Sequence, residues 1–588
     1  MYRTCLLDSL SAKEDGKDVV LSGWVHRRRD HGGIIFMDLR DRYGITQICS
    51  DPVGFKEAHE LLNEARSEYV LRIEGSVRKR PDGQTNKNMK TGAVEVLVKK
   101  VEILSTSETP PFEIDQDKDL SEELRLKFRY LDLRRQRMKN NIITRSKITN
   151  FIRSFLDKED FLEIETPILI KGTPEGSREY IVPSRLYPGN FYVLPQSPQQ
   201  LKQLLMVAGY DKYFQIARCF RDEDQRGDRQ PEFTQLDVEM SFVDMEDVID
   251  INEKLLKALT KEFTPDKKMS KFERLTYEEA MNLYGSDKPD LRFDMPLSDI
   301  TDIAVECDFG VFKNTAENGG NVKALRVEGG ADMPRSQIDS LEDHVKELGA
   351  KGLAYLILEK DGGYKSPIAK FFKDDELESI VKRCGAKKGD AIFFAADKWV
   401  KCCEILGAAR LKVAEARDLI DESKFSYLWV THFPLFEYDE EEGRLDAVHH
   451  PFTAPVEEDF DLLDKAPEKA LSNSYDVILN GVEIGGGSIR IHNSELQAKV
   501  FKILGISDED AESRFGHILR AFKYGVPPHG GIAWGLDRLL MIFQNEPNIR
   551  EVIPFPKDQR ARDLMLGSPS EVPVETLNEV HIKLNQKK

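Results

Sequence analysis

The sequence has no CxxC pair, no long apolar run, no internal repeat and no low-complexity tract. Its seven cysteines (Cys5, Cys49, Cys219, Cys307, Cys384, Cys402, Cys403) show no repeated spacing with histidines. That excludes a zinc-finger pattern or a disulfide framework and predicts reduced, structural thiols. Residues 1–18 carry Arg3, Asp8, Lys13, Glu14, Asp15 and Asp18 and lack the apolar stretch of a secretory signal. No later stretch reaches the ~18 apolar residues of a membrane span, so a cytoplasmic protein is expected. Basic charge is short overall, since 85 Lys and Arg against 103 Asp and Glu leave −18. Evenly spread, that balance would repel a nucleic acid, but patches rather than sums decide such binding. Between residues 125 and 153 ten Lys or Arg meet one acid, Asp132, a local +9. Such a run is either a solvated helix face or a surface for a polyanion.

What is present reads as several domains. A chain of 588 residues, 40% hydrophobic and 32% charged, can bury three or four cores. Short β-rich runs at 19–28, 34–41, 45–49, 70–78 and 94–104, with a helical interlude at 55–66, predict a five-stranded OB-type barrel. A polar stretch with Pro110 and Pro111 leads into a basic helical segment, 120–156. Strands and loops are expected from 161 to 285. Helix patterns and the pairs Gly329-Gly330 and Gly362-Gly363 mark 290–422, and strand-like runs resume at Tyr427 and continue to a helix after Gly535. The expected organisation is an α+β, multi-domain chain. A barrel (1–106) and a hinge (107–140) precede a catalytic domain in two parts (141–288 and 425–560), split by an inserted α/β domain (289–424) and followed by a C-terminal extension (561–588).

Three stretches carry chemistry. Phe220-Arg221-Asp222-Glu223 and Phe233-Thr234-Gln235-Leu236-Asp237 predict antiparallel strands around a polar loop. An arginine can there meet a phosphate, an aromatic ring a base, and a carboxylate an exocyclic amine. Gly530-Gly531-Ile532-Ala533-Trp534-Gly535 opens a helix with Leu536, Asp537 and Arg538, where a ligand can approach the backbone. Asn480-Gly481 is a strong two-residue hairpin signal. It pairs Leu479 with Val482 and Asp476 with Gly485, and sets Asp476 and Glu483 as diagonal neighbours able to converge on a hard cation. Arg490 reaches that face only if Gly485-Gly486-Gly487 contains a bulge. Each stretch alone also has a plainer reading: a surface ion pair and a core phenylalanine, a helix-start ion pair, two solvated acids.

In order along the chain, these residues resemble the three signature motifs of class II aminoacyl-tRNA synthetases. The first is Phe161-Leu162-Glu163-Ile164-Glu165-Thr166-Pro167, with Asp160 where glycine is usual; the second is the 220–237 hairpin and the third 530–538. Within that class Gly172-Thr173-Pro174-Glu175-Gly176, Gln196-Ser197-Pro198-Gln199, residues 221–230 and His449-His450-Pro451-Phe452 resemble the aspartyl enzymes. The insertion, with Arg326-Val327-Glu328-Gly329-Gly330-Ala331, resembles the extra domain of their bacterial members. The likeness spans nearly the whole chain and outweighs the plainer readings as a set.

The resemblance implies a mixed antiparallel catalytic sheet, a homodimer through the first motif, and the substrates ATP, L-aspartate and tRNA. It implies that ATP meets Arg221, Asp222, Glu223, Gln230, Phe233, Glu483, Gly535, Leu536, Asp537 and Arg538, with Arg221 and Arg538 stabilising charge on the phosphates. Aspartate falls to Glu175, Ser197, Gln199, Lys202, Arg221, Asp237, His449 and Arg490, with Arg490 bidentate on the side-chain carboxylate and Lys202 as a second cation. An asparagine amide would then leave two cations unpaired. Asp476 and Glu483 are expected to hold Mg²⁺, and Arg28, Phe36, Gln47 and Glu95 the anticodon of tRNA(Asp). His31 and Gly83 resemble relatives that also accept tRNA(Asn), whereas restricted relatives typically carry leucine at the first position and often lysine in the second loop. Such relaxation implies an amidotransferase partner. The alternatives are the asparaginyl relative, which usually lacks the large insertion, and a non-catalytic OB-fold nucleic-acid-binding protein, which would lack Arg221 and Arg538.

Overall fold

The computed structural model describes residues 1–116, 118, 120–172, 176–440 and 442–585. The chain forms two compact units, Met1–Ile143 with Ile553–Ser570, and Thr144–Val552 with Glu571–Lys588. In the first, the strands Asp18–His31, Ile34–Arg40, Ile45–Cys49, Val94–Ser105 and Val70–Lys79 close a barrel in that order, with the helix Lys56–Glu64 as its interlude. Strict alternation drives this: Val19, Leu21 and Val25 point inward with Ile35, Met37 and Leu39, while their neighbours face outward.

The first part of the basic run, up to Ile143, lies in this unit and is partly spent inside it. Arg125, Arg129 and Arg135 converge on the fully buried Asp132 carboxylate at 3.1, 2.6 and 3.3 Å. Arg129 also donates to the Pro554 and Ile553 carbonyls at 2.9 Å. Three of the ten cations therefore serve neither a solvated face nor a polyanion surface.

The second unit is built on an eight-stranded sheet in the order Glu273–Thr276, Tyr427–Thr431, Ser474–Leu479, Val482–Ile489, His529–Gly535, Glu232–Ser241, Lys212–Phe220, Leu162–Glu163. The outermost pair at each edge is parallel and the interior is antiparallel. Between 161 and 285 the structure is more helical than expected, with Gln199–Val207, Met245–Phe263 and Tyr277–Tyr284. The longest starts at an Asp244/Asp247 capping box and buries Val248, Ile249, Leu255, Leu256 and Leu259 along one stripe. Both the capping box and the apolar stripe are signals carried by the sequence itself. Within 289–424 a five-stranded sheet (Leu297–Asp299, Asn321–Val327, Ala391–Asp397, Ala354–Leu358, Tyr364–Lys365) carries a separate apolar core on each face. Among the described residues no helix is long and apolar enough to cross a membrane.

Candidate active site

The eight-stranded sheet floors a cavity of about 600 Å³. At its base stand two cations and two carboxylates. Lys202 Nζ lies 2.5 Å from Asp237 Oδ1 and 3.2 Å from Glu239 Oε2, while Arg490 grips Glu239 through Nε–Oε1 at 3.0 Å and Nη2–Oε2 at 3.1 Å. None of the four side chains is more than 2% exposed. The group is electrically balanced, as burial requires. Burial pushes the Asp237 carboxyl up despite Lys202, whereas Glu239, equally buried, is held down by Arg490 and Lys202 together. The opposite shifts follow because Arg490 hydrogen-bonds Glu239 directly but reaches Asp237 only at longer range, while the Glu239 charge itself raises Asp237. Asp237 Oδ2 accepts no hydrogen bond among the described residues.

This arrangement corrects the expected role of Arg490. Its bidentate edge is filled by Glu239, and its Nη1 donates to Ser488 Oγ at 2.6 Å and meets His450 Nε2 at 2.8 Å. An incoming carboxylate cannot take that fork, and the cations are not unpaired when the cavity is empty. Burial, Arg490 and the other cavity cations hold His450 well below the usual imidazole range, so it is neutral. Nδ1 accepts from the Phe452 amide at 3.2 Å and lies 3.4 Å from the Thr453 hydroxyl, while Nε2 meets Arg490 Nη1 at 2.8 Å. Space beside Glu239 depends on glycine, because a Cβ on Gly531 would stand 2.0 Å from Glu239 Oε2.

The Asn480-Gly481 hairpin forms, with φ of 53° and 79° at its two loop residues. Leu479 pairs with Val482 and Ile478 with Glu483, but the register then slips and Asp476 lies opposite Gly486, not Gly485 as expected. The extra residue is Ile484, so the bulge precedes the three glycines rather than lying among them. It brings Asp476, Glu483 and Arg490 to the cavity together. A Cβ on Gly486 would lie 2.6 Å from Asp476 Oδ1 and 3.9 Å from Glu483 Oε1, so both carboxylates face one cradle that a side chain would fill. Burial and the neighbouring Asp476 push the Glu483 carboxyl up.

On the adjoining wall the strands Lys212–Phe220 and Glu232–Ser241 pair Phe220 with Glu232 and release the 221–231 loop. The Arg221 guanidinium lies 5.1 Å over the Phe233 ring. Glu223 pairs with Arg229 at 3.2 Å, and Arg538 meets Asp228 at 3.1 Å and the Glu483 carbonyl at 3.1 Å. Three groups suited to a nucleotide are thus engaged with neighbouring protein groups.

Residues 121–559 match the family model described as tRNA synthetases class II (D, K and N), and residues 19–104 match that of the OB-fold nucleic acid binding domain. The chain belongs to the class II tRNA synthetases. It is 54% identical over 586 residues to the aspartate–tRNA(Asp/Asn) ligase of Caldanaerobacter subterraneus subsp. tengcongensis, covering 100% of this chain and 99% of that protein. It is 52% identical over 571 residues to the aspartate–tRNA ligase of Staphylococcus carnosus, covering 97% of each. The fold is shared with asparaginyl-tRNA synthetase from Pyrococcus horikoshii, solved with asparaginyl-adenylate (TM-score 0.58, 19% identity, 95% of this chain and 98% of that one). It is shared equally with aspartyl tRNA synthetase from Entamoeba histolytica (TM-score 0.57, 20% identity, 94% and 91%).

Within this synthetase the cavity gathers Ser197, Gln199, Lys202, Arg221, Glu223, Gln230, Phe233, Asp237, His449, Asp476, Glu483, Arg490, Gly535, Asp537 and Arg538. Glu175 falls outside the described residues. Two expected residues are not at the cavity. Asp222 points outward, half exposed beside Arg178, and Leu536, the first residue of the helix Leu536–Phe543, is buried in the core. The Asp537 carboxylate is committed to Arg145 and to the Thr234 amide (2.9 Å), so it ties the third motif to the second. Sequence reading missed Glu239, His450, Tyr277 and Phe433. Glu239 shares the strand face of Asp237, a parity signal that could have found it.

In the barrel a second cavity, of about 370 Å³, is lined by Arg29, His31, Phe36, Gln47, Arg80 and Gln84. Phe36 is only partly buried there, as a stacking platform requires and a barrel-core ring would not be. Arg28 is a correction. It sits on the other strand face, donating to Asn63 at 2.8 Å, and Arg29, paired in register with Phe36, takes the expected place. Glu95 is buried beneath the cavity wall, accepting from Gln47 at 2.7 Å and Arg78 at 2.8 Å. Gly83 adopts φ +81° with open space around it and does not line the cavity.

Proposed function

We propose that this synthetase activates L-aspartate with ATP and transfers it to the 3′ end of tRNA(Asp), and also of tRNA(Asn), in the cytoplasm. The buried Lys202–Arg490 pair, pre-aligned by Asp237 and Glu239, carries the choice of amino acid. Both cations are donors only, so the group they receive must be acceptor only. A side-chain carboxylate fits; the NH₂ of an asparagine amide would face N–H donors and be left unsatisfied. Asp237, with one oxygen accepting no hydrogen bond among the described residues, is suited to the substrate ammonium, beside Ser197 and Gln199. The names of the relatives above support the same reading.

Activation needs orientation and charge stabilisation rather than a covalent enzyme intermediate. The aspartate α-carboxylate oxygen attacks the α-phosphorus, the bond to the β-phosphate oxygen breaks, and pyrophosphate leaves. Arg221 leaves the Phe233 face to meet the α-phosphate, freeing the ring for adenine. Arg538 exchanges Asp228 for the distal phosphates. The tRNA terminal hydroxyl then attacks the aspartyl carbonyl and AMP departs. Asp476 and Glu483 suit Mg²⁺, being hard oxygen donors turned into one cradle, with Asp476 Oδ1 accepting no hydrogen bond among the described residues. Bound there with the phosphates, the ion would neutralise phosphate charge. Charging of purified tRNA(Asp) with labelled aspartate tests the reading; charging with labelled asparagine instead would overturn it.

Two outcomes follow. Asp476→Ala or Glu483→Ala is expected to raise the Mg²⁺ concentration that half-saturates pyrophosphate exchange by about tenfold, the loss of one charged ligand contact. An unchanged Mg²⁺ dependence in both variants removes these residues from the metal site. A homodimer is expected, because Leu162, Ile168, Leu169, Ile181 and Phe191, on and beside the first motif, are 42–60% exposed. Sedimentation equilibrium at micromolar concentration should give twice the 67.2 kDa chain mass, and a species of only that mass contradicts it.

A further inference from the structure

The inserted block reaches the cavity through one file of aromatic side chains. Its helix Trp399–Ala416 packs on the helix Tyr277–Tyr284 without a gap: a Cβ on Gly407 would stand 2.2 Å from the Gly285 carbonyl oxygen. Arg410, 2% exposed, donates to the carbonyls of Asp290, Phe293, Asp294 and Met295 at 3.0–3.3 Å and lies 4.0 Å over the Phe293 ring. Trp399 Nε1 and the buried Lys323 ammonium both donate to Asn282 Oδ1 at 2.9 Å. The two helices are therefore packed and hydrogen-bonded to each other.

Tyr277 opens the second of these helices and lines the cavity. Trp399 meets it edge-on with ring centres 6.1 Å apart, Tyr277 meets Phe433 at 5.2 Å, and Phe433 meets His449 edge-on at 5.0 Å. Hydrogen bonds do little to hold the His449 ring. Nε2 lies 3.5 Å from Asp476 Oδ1, and the buried Nδ1 has no partner among the described residues. Packing must set its place, and Phe433, backed by Tyr277 and Trp399, supplies that packing.

We propose that Trp399 and Tyr277 are positioning residues for His449, so that the insertion forms part of the support of the aspartate site. This rests on the reading of the cavity as that site. Trp399 does not line the cavity, so its removal should move His449 without altering the groups that handle phosphate. Trp399→Leu, which keeps apolar volume but deletes the ring and its N–H, is expected to raise KM for aspartate in pyrophosphate exchange about three- to tenfold, the range of one aromatic pair. The kcat and the KM for ATP should stay within about twofold, and Trp399→Phe should restore most of the loss.

The deciding comparison is a double-variant cycle with His449→Gln. If Trp399 acts through His449, Trp399→Leu has no further effect on KM for aspartate in that background. An effect of equal size there, or none in the unmodified background, overturns the inference. Should the leucine variant not accumulate as folded protein, Trp399→Met enters the same cycle. Failure of the unmodified enzyme to exchange with aspartate would overturn the substrate assignment and this inference with it; a working enzyme indifferent to Trp399 overturns this inference alone.

Discussion

Replacing Arg490 by lysine is expected to lower kcat/KM for aspartate by about ten- to a hundredfold while leaving the protein folded. Lysine keeps the charge that balances Glu239 but loses the planar fork, which holds Glu239 on one edge, Ser488 and His450 through Nη1, and leaves one Nη2 N–H for a ligand. Hydrogen bonds between charged groups contribute about 1.5–3 kcal/mol each, and the variant loses at least one to the ligand. Leucine at the same position would remove activation too, but less informatively. Glu239, 0% exposed, would be left with Lys202 alone, and breaking one side of a buried pair costs about 3–5 kcal/mol of stability. Thermal melting beside aspartate-dependent exchange separates the two effects. Near-normal exchange in Arg490→Lys would remove Arg490 from the substrate site.

The second large effect concerns tRNA. The unmodified enzyme is expected to charge tRNA(Asp) and tRNA(Asn) with efficiencies within about tenfold, and His31→Leu to shift that ratio toward tRNA(Asp) by about tenfold, the value of one hydrogen bond at a base edge. The two tRNAs differ at the third anticodon base, cytosine in one and uracil in the other. His31 lines the barrel cavity and meets Phe36 edge-on at 6.1 Å, where its ring nitrogens can donate to one base or accept from the other. Leucine there offers neither. Gly83 lies off the cavity at φ +81°, so a lysine introduced there would strain the loop as well as add charge. Aspartyl-tRNA(Asn) made this way implies an amidotransferase in the same cell. A several-hundredfold preference for tRNA(Asp), unchanged by His31→Leu, would show that these loops do not set the choice.

The barrel was legible because one physical signal, alternation bounded by turns, governs it. The run expected at 70–78 is the strand Val70–Lys79, and that at 94–104 is Val94–Ser105. The hairpin turn was legible for the same reason, since Asn480-Gly481 admits few backbone shapes. The bulge at Ile484 was not, because glycine-rich strands tolerate slippage and only the sheet partners fix where it occurs. Arg28 in place of Arg29 was an error of strand parity, and the cross-strand partner Phe36 corrects it. The misjudged fork of Arg490 has a different cause. Its carboxylate partner lies 251 residues earlier in the chain, and no local pattern joins a cation to an acid at that distance. The Asp132 cluster is local in sequence and was hidden for another reason: neighbours that look like a charged surface turn inward around one acid, and burial is not written in the charge pattern.

Amino-acid-dependent pyrophosphate exchange by the purified enzyme, with ATP and Mg²⁺ and either aspartate or asparagine, tests the central claim most directly. A donor-only pair of buried cations predicts strong exchange with aspartate and at least about a thousandfold less with asparagine, as when a buried polar site is left unsatisfied. Exchange of similar rate with asparagine, or with asparagine alone, would contradict it.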